Sequence, residues 1–322
     1  MKAILLALCM AMLIPVFGSC GMQEGGSEVF PVLDDRLTIK MLRETADSPM
    51  QFSIAAAPSS DREETRLIFD KDEEQLTVYA YEIFKYSSGN IEDDAKLLAD
   101  EWLDLYGAEY ALSKKRRFGG AEAVVFSPVE FDASGEAVLI KCALVKMPDN
   151  TLINVCVFAN QDMLADKRHC IGFADDILKT LRPGGRSIDI STHKESIWPY
   201  EIEVSEGYVY VPSTGVDFAV YYITKIVPFD VAAQPRFGIY MGFDPSGADE
   251  PEGDGAGGIP DSVLGHDIKW GRNEEEGAIR METVFGIPEA QSGLMMHVFI
   301  TAYDEAELEE MKNMVYSLQR AN

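Results

Sequence analysis

The chain has 322 residues, 47% of them hydrophobic, and carries 28 basic against 54 acidic side chains, a net charge of −26. At roughly 100–200 residues per domain this length implies two domains, and the apolar fraction is enough for two cores. So acidic a surface repels phosphate backbones, which argues against a nucleic-acid partner.

The N-terminus has a charged start at Lys2, an apolar run from Ala3 to Phe17, and the small residues Gly18 and Ser19 before Cys20, the layout of a secretory signal. The run is shorter than the roughly 20 residues a spanning helix needs, and Pro15 interrupts it. Later hydrophobic stretches are all broken by Asp, Glu, Lys or Arg. The segment Val16-Phe17-Gly18-Ser19-Cys20 resembles a bacterial lipobox. That resemblance implies a lipid such as palmitate on Cys20 and a mature protein anchored to a bacterial membrane, outside the cytoplasm, at the outer membrane of a diderm cell. An ordinary signal cleaved near Ser19 is the other reading. Residues 21–33, opening with Gly, Ser, Gln and Glu, read as a flexible tether. Loss of residues 1–20 removes Lys2 and leaves 27 basic side chains against 54 acidic, a net of −27.

A first domain is expected over 34–183. Leu37, Ile39 and Met41 alternate with polar residues, as do Leu76, Val78 and Ala80 and, less strictly, the aromatics up to Tyr86, which is strand spacing. Asn90 can cap a helix whose stripe is Ile91, Ala95, Leu98, Trp102 and Leu105, with Gly107 as its stop. The basic run Lys114-Lys115-Arg116-Arg117 reads as a solvated turn or as a site for an acidic partner. Strands follow over 121–131, 137–146 and 152–159, the last two joined at Pro148-Asp149-Asn150. Near-continuous apolar character from Val155 to Ala159 predicts a strand covered on both faces. Cys142 and Cys156 then face each other across the hairpin, either bridged or packed as small apolar residues, and Cys170 is left over. A helix with Phe173, Ile177, Leu178 and Leu181 on one face ends at Pro183-Gly184.

Residues 184–196 read as a linker and 197–322 as a second α+β domain. In it Ile279 to Ile300 resembles the earlier hairpin, and Asp304 with Glu307 forms a capping box before Leu308, Met311, Val315 and Leu318. Two explanations stand, a diverged internal duplication or the general likeness of any hairpin and helix.

The order of strands, the Asn90 to Gly107 helix, a strand opening at Gly120-Ala121, the Pro148-Asp149 hairpin and the closing Ile177-Leu178-Lys179-Thr180-Leu181 helix resembles the PsbP-like fold. The likeness covers roughly 35–183 and, more faintly, 197–320. It implies α+β antiparallel sheets flanked by helices, a tandem of two diverged α/β/α sandwich domains, and binding rather than catalysis. The second half departs from the pattern by having a loop where the middle helix should be.

Catalytic motifs are sparse. There is no Gly-x-Ser-x-Gly elbow, and Ser191-Thr192-His193-Lys194 fits Ser-x-x-Lys but lies in the linker without its companion Lys-Thr-Gly. The four histidines, His169, His193, His266 and His297, are too scattered for a zinc site; His266-Asp267 beside Trp270 has the most suggestive setting, and His297 reads as a hydrogen-bonded core residue. The acidic, Gly-rich loop 244–261 places Glu250, Glu252, Asp254, Gly255 and Asp261 at positions 1, 3, 5, 6 and 12 of a calcium loop. A solvated acidic insertion explains the same residues. Tyr79, Tyr81, Tyr86, Tyr208, Tyr210, Tyr221 and Tyr222 fall in strands, as core or as a binding face. The expectation is a lipid-anchored envelope protein acting as a non-catalytic module for a protein or small ligand, with no cofactor unless calcium. The alternatives are an exported hydrolase built from dispersed acids and His266, and a calcium-dependent adhesion module.

Overall fold

The structure, a computed structural model, describes residues 27–42, 53–54, 64–71, 74–130, 137–214, 218–243, 258–287 and 293–321. The signal, Cys20, Glu250, Glu252 and Asp254 lie outside them. Among the described residues the protein is mostly antiparallel sheet with three helices, and no helix is long and apolar enough to cross a membrane.

In the first half, β1 (Ser27–Val32) and β2 (Leu37–Leu42) form a hairpin that β11 (Arg182–Pro183) joins. This corrects the tether, which was expected to run through residue 33. Val32 is buried and Phe30 packs on the core, while Pro31, which has no N–H to give, sits in an edge strand. The main sheet contains β3 (Ser53–Ile54), β4 (Glu64–Lys71), β5 (Glu74–Tyr86), β6 (Tyr110–Leu112), β7 (Arg116–Phe118), β8 (Ala121–Pro128), β9 (Ala137–Lys146) and β10 (Thr151–Asn160). Its order is β3-β4-β5-β10-β9-β8-β6, with β7 also on β8.

Helix α1 (Ile91–Tyr106) begins where Asn90 accepts the Glu92 N–H at 3.2 Å and stops at Gly107, φ +68°. Its residues Ile91, Ala95 and Leu98 pack on Val124, Phe126 and Leu144, but the expected stripe ends early, with Leu105 56% exposed. Helix α2 (Lys167–Lys179) closes the opposite face through Cys170, Ala174, Ile177 and Leu178. That two-sided cover is why β10 is apolar along nearly its whole length.

The second half opens with β12 (His193–Ile197) and β13 (Tyr200–Val204), which β22 (Gln319–Arg320) joins, so strand structure begins inside the expected linker. It continues with β14 (Tyr208–Thr214), β15 (Phe218–Lys225), β16 (Val227–Pro228), β17 (Arg236–Gly242), β18 (Ile259–Val263), β19 (His266–Glu275), β20 (Ala278–Gly286), β21 (Met295–Ala302) and helix α3 (Glu305–Tyr316). The main sheet runs β14-β15-β17-β21-β20-β19-β18. Asp304 accepts the Glu307 N–H at 2.8 Å, and Glu307 accepts the Tyr303 N–H at 3.1 Å, one residue from the expected capping-box return. Leu308, Met311, Met314 and Val315 seat α3 on one face.

Both halves therefore share a plan: a small sheet completed by the strand after the last helix, and a main sheet in which the strand before that helix lies between an earlier strand and its own hairpin partner. They meet where β16 pairs in parallel with β5 and where Val209, Val211 and Ile226 pack with Phe84, Tyr86, Ile188 and Ile190.

Candidate ligand cavity between the two halves

The junction contains a cavity of about 150 Å³. A second, of about 130 Å³, shares Arg36, Arg186 and Ser187 with it. The first is built from the β1–β2 turn (Leu33, Asp34, Arg36), the end of β5 (Glu82, Phe84), the segment Arg186–Asp189, and β12 and β14 (His193, Glu195, Val209, Tyr210).

Local backbone irregularity brings these groups together. Opposite β10 the register of β5 slips, with Glu82 paired to Ile153 and Tyr86 to Thr151, so Ile83, Phe84 and Lys85 face Leu152 alone. Such a bulge re-aims the side chains on either side of it. Phe84 there has φ +54°, and Leu33, Asp34 and Asp35 have φ of +54°, +54° and +64°. Bulky residues rarely adopt this region, and such strain concentrates at functional sites. The turn is held from outside: Gly184 N donates to Arg36 O at 2.9 Å and Arg186 N to Asp35 O at 3.2 Å. A Cβ on Gly184 would come within 1.9 Å of Asp35 O, so only glycine permits this approach.

Arg36, buried, is the hub. Its Nε donates to Glu82 Oε1 at 2.7 Å, Nη2 to Thr151 Oγ1 at 2.5 Å, and Nη1 to Asp149 and, at 3.4 Å, to Arg186 O. Asp149 has further donors in Thr151 N (3.2 Å), Thr151 Oγ1 (2.6 Å) and Ile188 N (3.1 Å). Burial pushes the Asp149 carboxyl up, yet these donors and the guanidinium hold it below its ordinary value. Glu82 is the opposite case. Its side chain is 1% exposed, Oε1 receives only Arg36, and Oε2 has no hydrogen-bond partner. Desolvation outweighs Arg36 and drives this carboxyl up to about 7. One guanidinium serves both carboxyls, and the less buried Asp149 has three further donors where Glu82 has none.

Around this pair, Arg186 is ion-paired with Asp34. Asp189 accepts from Ser191 Oγ at 2.7 Å, a bond that is the main reason its carboxyl lies below the ordinary range. His193 donates Nδ1–H to Ser191 O at 2.6 Å, which turns Nε2 toward Glu195 Oε1 at 3.4 Å. Phe84, Leu33, Ile188 and Val209 supply apolar wall.

The other expected sites resolve differently. Asp261 lies in β18 rather than in a loop, and its carboxylate is occupied by Trp270 Nε1 (3.0 Å), Ser262 N (2.8 Å) and the Tyr316 hydroxyl. Among the described residues no three His, Cys, Asp or Glu side chains form a group suited to a metal ion. His266 is not in the cavity; its ring lies 6.0 Å from Phe285, and the histidine that meets carboxylates there is His193. His297 is half-buried, 3.3 Å from Glu282 on the face away from α3. Cys142 and Cys156 are register partners, as the hairpin implied, but both are free thiols, so the bridge is not formed; they fill the apolar layer under α1 as small hydrophobic groups, and burial pushes the Cys142 thiol up. Tyr208, Tyr210 and Tyr221 are core residues, while Tyr79, Tyr81, Tyr86 and Tyr222 are half-buried. The basic run lies exposed, with Lys115 paired to Glu122 at 3.1 Å.

Neither Arg36 nor Glu82 was singled out from the sequence. The one signal was the loss of strict alternation in β5 near Tyr86. Compared with protein-family models, curated proteins and solved structures, the chain matches none.

Proposed function

We propose that this protein is a non-catalytic binding module, exported and held at a bacterial envelope membrane by lipid on Cys20, that takes a terminal group of its ligand into the cavity between its halves. The observation that carries this reading is Glu82: a buried carboxylate with one oxygen unpaired, in a cavity lined by residues of strained backbone. Burying an unsatisfied charged acceptor is costly, and an occupant that donates to it removes the cost. At about 150 Å³ the cavity is smaller than the roughly 300–1,000 Å³ of sites that engulf a whole small molecule, which suits one end of a larger ligand. The shared strand order supports reading the chain as a duplicated PsbP-like unit, two diverged α/β/α sandwiches, with the binding site arising where the copies meet.

A thermal-shift screen of small metabolites against the mature protein and a Ser187→Trp variant tests the site. Ser187 is exposed and lines the cavity, so the new ring fills it with little harm to the fold. Compounds that stabilise the wild type and not the variant are expected; equal shifts in both overturn the reading. Palmitate labelling of the protein in bacteria, abolished by Cys20→Ser, tests the anchor.

A further inference from the structure

Resting on that reading, we propose that the group the cavity receives is an organic cation, the end of a primary amine or guanidine, donating to Glu82 Oε2. The lining supplies four acidic side chains, Asp34, Glu82, Asp189 and Glu195, against two permanent cations, Arg36 and Arg186. Both guanidiniums are already engaged, Arg36 by Glu82, Asp149 and Thr151 and Arg186 by Asp34. An entering anion would find no uncommitted cation and would face four acidic side chains. A neutral hydroxyl would satisfy the hydrogen bond but add no charge beside a carboxyl that shares its one cation, Arg36, with Asp149. An ammonium or guanidinium does both at once, since each carries several donors and a full charge.

The walls fit the rest of such a ligand. Leu33, Ile188 and Val209 offer apolar surface to an alkyl stem, and Phe84 adds an aromatic ring, a favourable neighbour for a cation. Burial pushes the Glu82 carboxyl up to about 7 even with Arg36 beside it, so a second positive charge is favourable there. The net charge of −26 favours cation approach from solvent.

The test is NMR titration of the mature chain with four probes of similar size, propylammonium, propylguanidinium, propanol and butyrate, at constant ionic strength. The amide signals of Ile188, Val209 and Tyr210 report the cavity. Both cations are expected to bind there with millimolar dissociation constants, and propanol and butyrate at least about tenfold more weakly, the ratio a charge-assisted hydrogen bond gives. Glu82→Gln should weaken the cations about tenfold or more, and Ser187→Trp, which keeps Glu82, should block them. Propanol or butyrate binding as well as the cations overturns the ligand class and leaves the cavity as a site. Cation shifts unchanged in both variants also overturn the proposal, and silence from all four probes overturns the binding reading with it.

Discussion

The two halves use one strand order and solve the problem of covering a sheet differently. In the first, α1 and α2 close both faces of the main sheet, and its central strand β10 is buried at nearly every position. In the second, among the described residues, only α3 covers the sheet, and β21 alternates: Met296, Val298, Ile300 and Ala302 are buried, while Met295, His297, Phe299 and Thr301 are half-buried. Instead of a helix, the open face carries rings laid over glycines. A Cβ on Gly238 would meet the Phe299 ring at 2.2 Å, and one on Gly242 the Tyr240 hydroxyl at 2.2 Å. Continuous and alternating apolar patterns thus record whether a strand is covered on two faces or one.

The largest effect is expected at the junction of the two halves. Arg36→Ala leaves Glu82 and Asp149 without their shared cation and should destabilise the first half by roughly 3–5 kcal/mol, read by denaturant unfolding. A loss below about 1 kcal/mol would remove Arg36 from the centre of the account. The pH dependence of stability comes next. The protonated Glu82 carboxyl tolerates burial better than the carboxylate, so its contribution is fully present below the ordinary value of 4.5 and is lost as pH rises through about 7. That amounts to roughly 3 kcal/mol, absent in Glu82→Gln. Smaller again is the contrast between faces. Leu144→Ala, beneath α1, should cost roughly 2–5 kcal/mol, and Phe299→Ala, on the open face, about 1 kcal/mol. Equal losses would mean that the second sheet is covered as well as the first. Least affected are the helix caps: Asn90→Ala and Asp304→Ala should each cost about 1 kcal/mol.

What the residues revealed in advance was whatever rests on local chemistry. Asn90 and Gly107 marked the ends of α1, Asp304 marked the start of α3, and the β9–β10 hairpin followed from its alternation and its turn. Features that depend on distant partners were hidden. Ser27–Val32 looked like tether because the strand that makes it a strand comes after a turn in which three residues in succession adopt positive φ. Asp261 looked like a metal ligand because its donors, Trp270 and Tyr316, lie up to 55 residues away. The cavity draws on segments near residues 34, 83, 188, 194 and 210, and the one motif match among them, Ser-x-x-Lys at Ser191–Lys194, points to a different chemistry. Its clearest trace was the faltering alternation of β5, where the bulge turns Glu82 and Phe84 into one space.

A ¹³C-detected titration of the Glu82 side-chain carboxyl tests the central claim directly, because both the site and its ligand class rest on that group being buried with one oxygen unpaired. The expected midpoint is about 7, displaced downward when propylammonium is added. A midpoint at or below 4.5 that the amine does not move would show a carboxylate already satisfied, and would contradict the account.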